Sequence, residues 1–167
     1  GFCVRAGEDL DGRPIIWVRM GKCDPTPLRP PVVVCNTWMA LDSVLSQSDE
    51  AARRGVCLVY DLSDVRMWQV NAGIRAGWMN PVWVHQALWA GPAQPALISR
   101  VWLLDAPRIF MKLWNMFSYI LPSYIKEVVR FESTRGSSAS ARFSDICGPE
   151  ALPVYVGGDA ERFGEPF

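Results

Sequence analysis

Three carboxylates stand where an α/β protein would do chemistry. Asp61 closes the apolar run "GVCLVYDL" (55–62), Asp64 follows three residues later, and Asp105 closes "RVWLLDA" (100–106). Short continuous apolar runs of this kind read as strands covered on both faces. Open α/β sheets place their ligands at the carboxyl ends of such strands, which invites an enzyme reading with the aspartates as acid and base. The partners that reading needs are missing. His85 is the only histidine, and the chain contains no Walker loop, no G-x-G-x-x-G and no G-x-S-x-G. Each carboxylate is therefore expected to cap the following helix or tie down a loop.

Sulfur chemistry is equally sparse. Cys3, Cys23, Cys35, Cys57 and Cys147 are odd in number, widely spaced and never form C-x-x-C. That argues against a disulfide framework or a metal site and for a reducing compartment. No cofactor is expected.

The elements that would position these residues alternate in type. "PIIWVRM" (14–20) reads as a strand after the turn "DLDG". "PVVVCNTWMALDSVLSQSDEAARRG" (31–55) reads as a helix with Val34, Trp38, Leu41, Val44, Leu45 and Ser48 along one side, closed by Arg53, Arg54 and a left-handed Gly55. A helical region follows Asp61 and breaks at Asn80-Pro81, and "EVVRFES" (127–133) supplies another strand. Strands alternating with helices predict an α/β domain with a mixed, mostly parallel sheet flanked by helices.

The segment from Pro107 to Leu121, "PRIFMKLWNMFSYIL", departs from that ordinary pattern. Read as a helix, its polar residues Arg108, Lys112, Asn115 and Ser118 fall within an arc of roughly 120°, leaving about 240° to apolar side chains. A helix on one core needs a stripe only somewhat wider than about 100°. Either the segment is buried between the sheet and another element, or its second apolar side faces a cavity, an apolar ligand or a membrane.

Composition supports a folded, greasy domain. Half of the 167 residues are apolar, eight are Trp, and 17 basic residues balance 17 acidic ones. Disorder and bulk nucleic-acid affinity are both poor readings. The neutral total hides an asymmetry: residues 100 to 142 hold seven basic and three acidic side chains, and residues 143 to 167 hold five acidic ones against Arg162. Arg108, Lys112, Lys126 and Arg130 could therefore help dock the greasy segment on an anionic membrane. No stretch reaches the length of a spanning helix and no secretion signal is visible. The absence of an initiator Met suggests a piece of a larger protein, folded as one domain over residues 1–167.

Four stretches, in order, carry a resemblance: "DLDGRPI" (9–15), "GVCLVYDLSDV" (55–65), "VWLLDAPRIFMKLWNMFSYIL" (101–121) and "LPVYVGG" (152–158). Together they resemble a CRAL-TRIO domain, the lipid-binding module of phosphatidylinositol transfer and tocopherol- or retinal-binding proteins. The resemblance implies a hydrophobic pocket closed by a mobile gate helix, here residues 107–121, and a role in binding a phospholipid or another hydrophobic small molecule and passing it between membranes. It implies a non-enzymatic, cytoplasmic protein with peripheral membrane association, the bound lipid being a ligand rather than a cofactor. A protein- or membrane-interaction module within a larger regulatory protein is the alternative on the same fold, with protein partners reached through flanking domains.

The departures bear on the ligand. Family members that hold phosphatidylinositol have a lysine near the end of the gate helix, where this chain has Ser118, and an acidic residue on the preceding helix, where it has His85. Both weaken a phosphoinositide reading. Asp105 replaces the Asn of an Asn-Ala-Pro turn and preserves a capping oxygen. Expected ligand contacts are Trp78, Val82 and Trp83 before the strand, and Phe110, Leu113, Trp114, Phe117 and Ser118 on the gate. Because strand residues alternate, either Val101 and Leu103 or Trp102 and Leu104 face the ligand, and Trp102 and Leu104 are carried as the candidates.

Overall fold

A computed structural model of the chain describes residues 3–47, 49–78, 80, 98–120, 123–134 and 146–153. Among these residues the centre is a five-stranded sheet in the order β1-β2-β3-β4-β5. The strands are β1 (Cys3–Glu8), β2 (Pro14–Arg19), β3 (Val56–Asp61), β4 (Ile98–Leu104) and β5 (Val129–Glu132). Only β1 runs antiparallel to its neighbour. The sheet is thus mixed and mostly parallel, as the alternation of types predicts.

β1 has no counterpart in the sequence reading because "CVRAGE" alternates weakly, with only Val4 and Ala6 buried. It is returned to β2 by the Asp9–Arg13 turn. The Asp9 Oδ1 atom accepts the backbone N–H groups of Asp11 and Arg13, each at 2.9 Å, while Asp9 Oδ2 pairs with Arg13 at 3.2 Å. Gly12 takes φ 71° there, a left-handed conformation open to glycine at little cost. The "DLDGRP" stretch is therefore a turn built around a buried carboxylate.

The helix expected over 31–55 is two helices, α1 (Pro30–Leu45) and α2 (Asp49–Arg54). Proline suits the first turn of α1 because no intrahelical donor is lost there. The interruption falls at Ser46-Gln47, where the Ser46 hydroxyl donates to Ser43 O, a local bond that competes with the helical ladder. Gly55 has φ 76°, the left-handed position expected after Arg54. α3 (Met67–Arg75) ends before Asn80-Pro81, with Gly77 at φ 86°. α4 (Arg108–Phe117) continues as a 3-10 turn over Ser118–Ile120, and α5 (Ser123–Val128) occupies the first part of what the sequence reading took as strand 127–133.

Parallel register aligns side chains in rows across the sheet. Ile16, Leu58, Val101 and Val129 form one row, and Val18, Tyr60, Leu103 and Phe131 the next. These point to one face, where they pack with Ala40, Leu41 and Val44 of α1 and Ile125 of α5. Trp17, Val59 and Trp102 point to the other, where Ile15, Cys57 and Leu104 pack with Ile146, Cys147, Ala151 and Leu152.

Candidate functional site

The aspartates first considered for chemistry are structural. Asp61 Oδ1 accepts the backbone N–H of Ser63 at 3.0 Å and its hydroxyl at 2.6 Å, and Arg19 approaches Oδ2 at 3.9 Å. Arg19 also reaches Asp64, at 3.6 Å. The cluster of Arg19, Lys22, Asp61 and Asp64 encloses no volume for a water-sized guest. Asp105 adopts φ 48°, a strained value for a non-glycine residue. Its carboxylate accepts the Thr134 backbone N–H at 2.9 Å, the Ser133 hydroxyl at 3.0 Å and the Thr134 hydroxyl. Asp105 thus ties the end of β4 to the chain leaving β5. It does not cap α4, whose N-cap is Pro107 with no side-chain bond.

Two apolar cavities lie on the Ile16–Leu58–Val101 side, whereas a cleft of about 390 Å³ on the reverse side is lined by charged residues, Arg100, Glu127, Arg130 and Glu132, beside Trp102. One cavity of about 120 Å³ lies between the sheet and α1, lined by Cys3, Val18 and Tyr60 from the strands and by Val33, Asn36 and Thr37 from the helix. A second, of about 90 Å³, lies between α3 and α4, lined by Val70 and Ile74 on one side and Phe110 and Leu113 on the other. Among the described residues neither lining includes Lys, Arg, Asp or Glu. Burial, helped by the neighbouring Cys3 thiol, pushes the Tyr60 hydroxyl up to about 12, and burial pushes Cys3 up to about 11. Both stay neutral near pH 7 and present only weak dipoles to a guest.

The floor between the cavities is fixed by one amide. Gln69 is buried, and its Nε2 donates to Cys23 O at 2.8 Å, Gly21 O at 3.2 Å and Met20 O at 3.3 Å, while its Oε1 accepts the Arg66 N–H at 2.9 Å. This joins α3 to the segment after β2, where Met20 O also accepts the Cys23 N–H at 3.0 Å. Sequence reasoning missed Gln69, Tyr60, Met20 and Cys23. A lone amide inside an otherwise apolar helix face is the one signal that could have drawn attention to Gln69.

The residues named in advance divide clearly. Trp78, Phe110 and Leu113 line the cavities. Trp114 packs against the same face, its ring edge-on to Phe131 at 5.5 Å and 68°. Ser118 follows α4, its N–H bonded to Trp114 O. Trp102 and Leu104 are a correction: strand alternation puts them on the opposite face, with Trp17 and Val59, so they cannot meet Phe110 and Leu113 around one guest. Val82, Trp83, His85 and the Phe117 side chain lie outside the described residues.

α4 contains no fully buried side chain among those described. Ile109, Phe110, Met111, Leu113 and Trp114 are half-buried, and Met116 is 52% exposed. Next to it, α3 exposes Met67, Trp68 and Ile74. Arg108 and Lys112 are exposed on α4 and Lys126 on α5. Arg130 does not extend that basic side: it aligns with Trp102 and lies with it on the reverse face. Among the described residues no helix is long and apolar enough to cross a membrane.

Comparison with known proteins agrees with this architecture. The crystal structure of Sfh5 superposes with a TM-score of 0.67 at 14% identity, covering 98% of this chain and 56% of that one, a likeness of fold. This chain thus spans little more than half the length of that protein. No curated protein matches the sequence. The CRAL/TRIO domain model matches residues 1–158, nearly the whole chain, and the protein therefore belongs to the CRAL/TRIO domain family, whose members bind and transfer lipids.

Proposed function

We propose that this domain binds a hydrophobic lipid between the Ile16–Leu58–Val101 face and helices α1, α3 and α4, and presents it to or passes it between membranes. The observation that carries this reading is the pair of uncharged cavities on one sheet face, the second walled by a helix that buries none of its described side chains fully. Helix 107–121 acts as the gate, covering lipid when closed and meeting a bilayer when open, with no bond made or broken. Arg108 and Lys112 draw its outer side to an anionic surface, each contributing about 1 kcal/mol. Lys126 adds to the same field. The setting that fits is the cytoplasmic surface of a membrane, and the domain is not an enzyme.

Native mass spectrometry of the purified protein, followed by organic extraction, tests this directly. The expected result is one lipid or comparable apolar molecule per chain, exchangeable with vesicle lipid. A second reading draws on the cavity sizes, since about 120 and 90 Å³ fall short of the roughly 300–1,000 Å³ usual for ligand pockets. In that reading the pocket has collapsed and the fold serves as a protein- or membrane-interaction module. A mass that stays ligand-free after incubation with mixed lipids, alongside binding to vesicles or a protein partner, would select it.

A further inference from the structure

The cavity under α1 and the cavity between α3 and α4 share three wall residues, Met20, Cys23 and Trp78. Trp78 is the bulkiest of them. Its indole Nε1–H donates to Leu28 O at 2.8 Å, and Leu28 itself lines the first cavity. On its other side the ring lies against Gly73 of α3, which lines the second; a β-carbon at residue 73 would sit 3.5 Å from the indole. The ring is half-buried, and its one N–H is held by Leu28 O. Rotating the indole away from Leu28 and Gly73 would therefore open one space into the other, at the cost of that bond and of the ring's contact with Gly73. Among the described residues neither lining carries a charged side chain.

We propose that the two cavities are halves of one elongated channel for a single uncharged hydrocarbon chain, and that Trp78 is the movable partition between them. This rests on the lipid-binding reading and adds the shape of the guest and the residue that limits its depth. A short chain occupies one compartment with the indole in place. A long chain needs the indole to leave Leu28 O, so chain length sets the rate of loading.

The test delivers decanol or octadecanol from cyclodextrin to the native protein, Trp78→Ala and Trp78→Phe, and follows uptake by native mass spectrometry. Trp78→Ala is expected to load octadecanol about tenfold faster than the native protein while decanol changes by less than about twofold, the scale set by one lost hydrogen bond. Trp78→Phe keeps a ring without a donor and falls between, which keeps the test intact if the alanine variant does not fold. An octadecanol-to-decanol ratio equal in all three proteins overturns the partition. Phosphatidylcholine taken up from parallel vesicles, with neither alcohol bound, overturns the uncharged-chain channel and leaves lipid binding standing. No guest of either kind in any of the three proteins removes the lipid-binding reading itself.

Discussion

On one face of the sheet Ile15, Trp17, Cys57, Val59 and Leu104 are buried beneath Ile146, Cys147, Ala151 and Leu152, whose own side chains are buried as completely, while at Trp102 that face opens into a charge-lined cleft of about 390 Å³. On the other face Ile16, Val18, Leu58 and Leu103 are just as apolar, yet the helices above them leave two cavities and α4 buries none of its described side chains fully. The same alternating strands supply both faces, so the contrast lies in the cover. A cover whose residues are all buried is part of the core, and removing an atom from it leaves a void. A half-buried cover holds less of the folding free energy and is the part that can move.

Substitutions can break or sharpen that contrast. Trp17→Ala, at 1% exposure on the sealed face, is expected to cost about 3–5 kcal/mol, read as a fall in the urea midpoint. Trp114→Ala on α4 should cost only about 1–2 kcal/mol, since its half-buried ring loses an edge contact with Phe131, yet it should strip bound lipid from the purified protein. If its urea midpoint falls as far as that of Trp17→Ala, α4 belongs to the core and cannot be a gate.

The cysteines offer a gentler probe of the same contrast. Burial, first among the causes, pushes Cys57 and Cys147 on the sealed face up to about 12, whereas Cys35 is exposed on α1. Alkylation near pH 8 should therefore modify Cys35 first and these two last, as mapped by mass spectrometry. Because their folded values lie above the ordinary 9.0, their contribution to stability is complete below about pH 9 and is lost as pH rises toward 12. A midpoint unchanged between pH 8 and pH 11 would mean the sealed face admits thiolates. Smallest of all, Trp102→Phe should shift stability by less than about 1 kcal/mol, because the indole Nε1 is buried without a partner among the described residues and its removal relieves that loss.

Much of the frame was legible because its signals are local. "PIIWV" and "VCLVY" are apolar without interruption, as a doubly covered strand requires, and they form adjacent parallel strands. Gly55 and the over-wide apolar girth of 107–121 are likewise properties of a few neighbouring residues. The misses share a cause as well. β1 exists because β2 offers it an edge to pair with, and α5 takes over residues with strand-like composition because its Ile125 is buried against the sheet. The Asp105 side chain answers to Ser133 and Thr134, 28 and 29 residues away, which no local capping rule contains.

For the residues lining the two cavities the division is sharper. Phe110, Leu113 and Trp78 could be named from spacing and resemblance, since helical periodicity puts the first two on one stripe. Which side of β4 joins them could not, because alternation defines two faces and is silent about which one is capped. That choice was made by the chain from Ile146 to Leu152 closing over Leu104, and by α1, α3 and α4 settling on the side of Val101 and Leu103. The sequence by itself determined the strands, the helix with too much apolar surface and the scarcity of catalytic partners, each a matter of residue type and short-range spacing. Only the tertiary structure decided where space was left unfilled, because a cavity is the difference between what distant elements cover and what they fill.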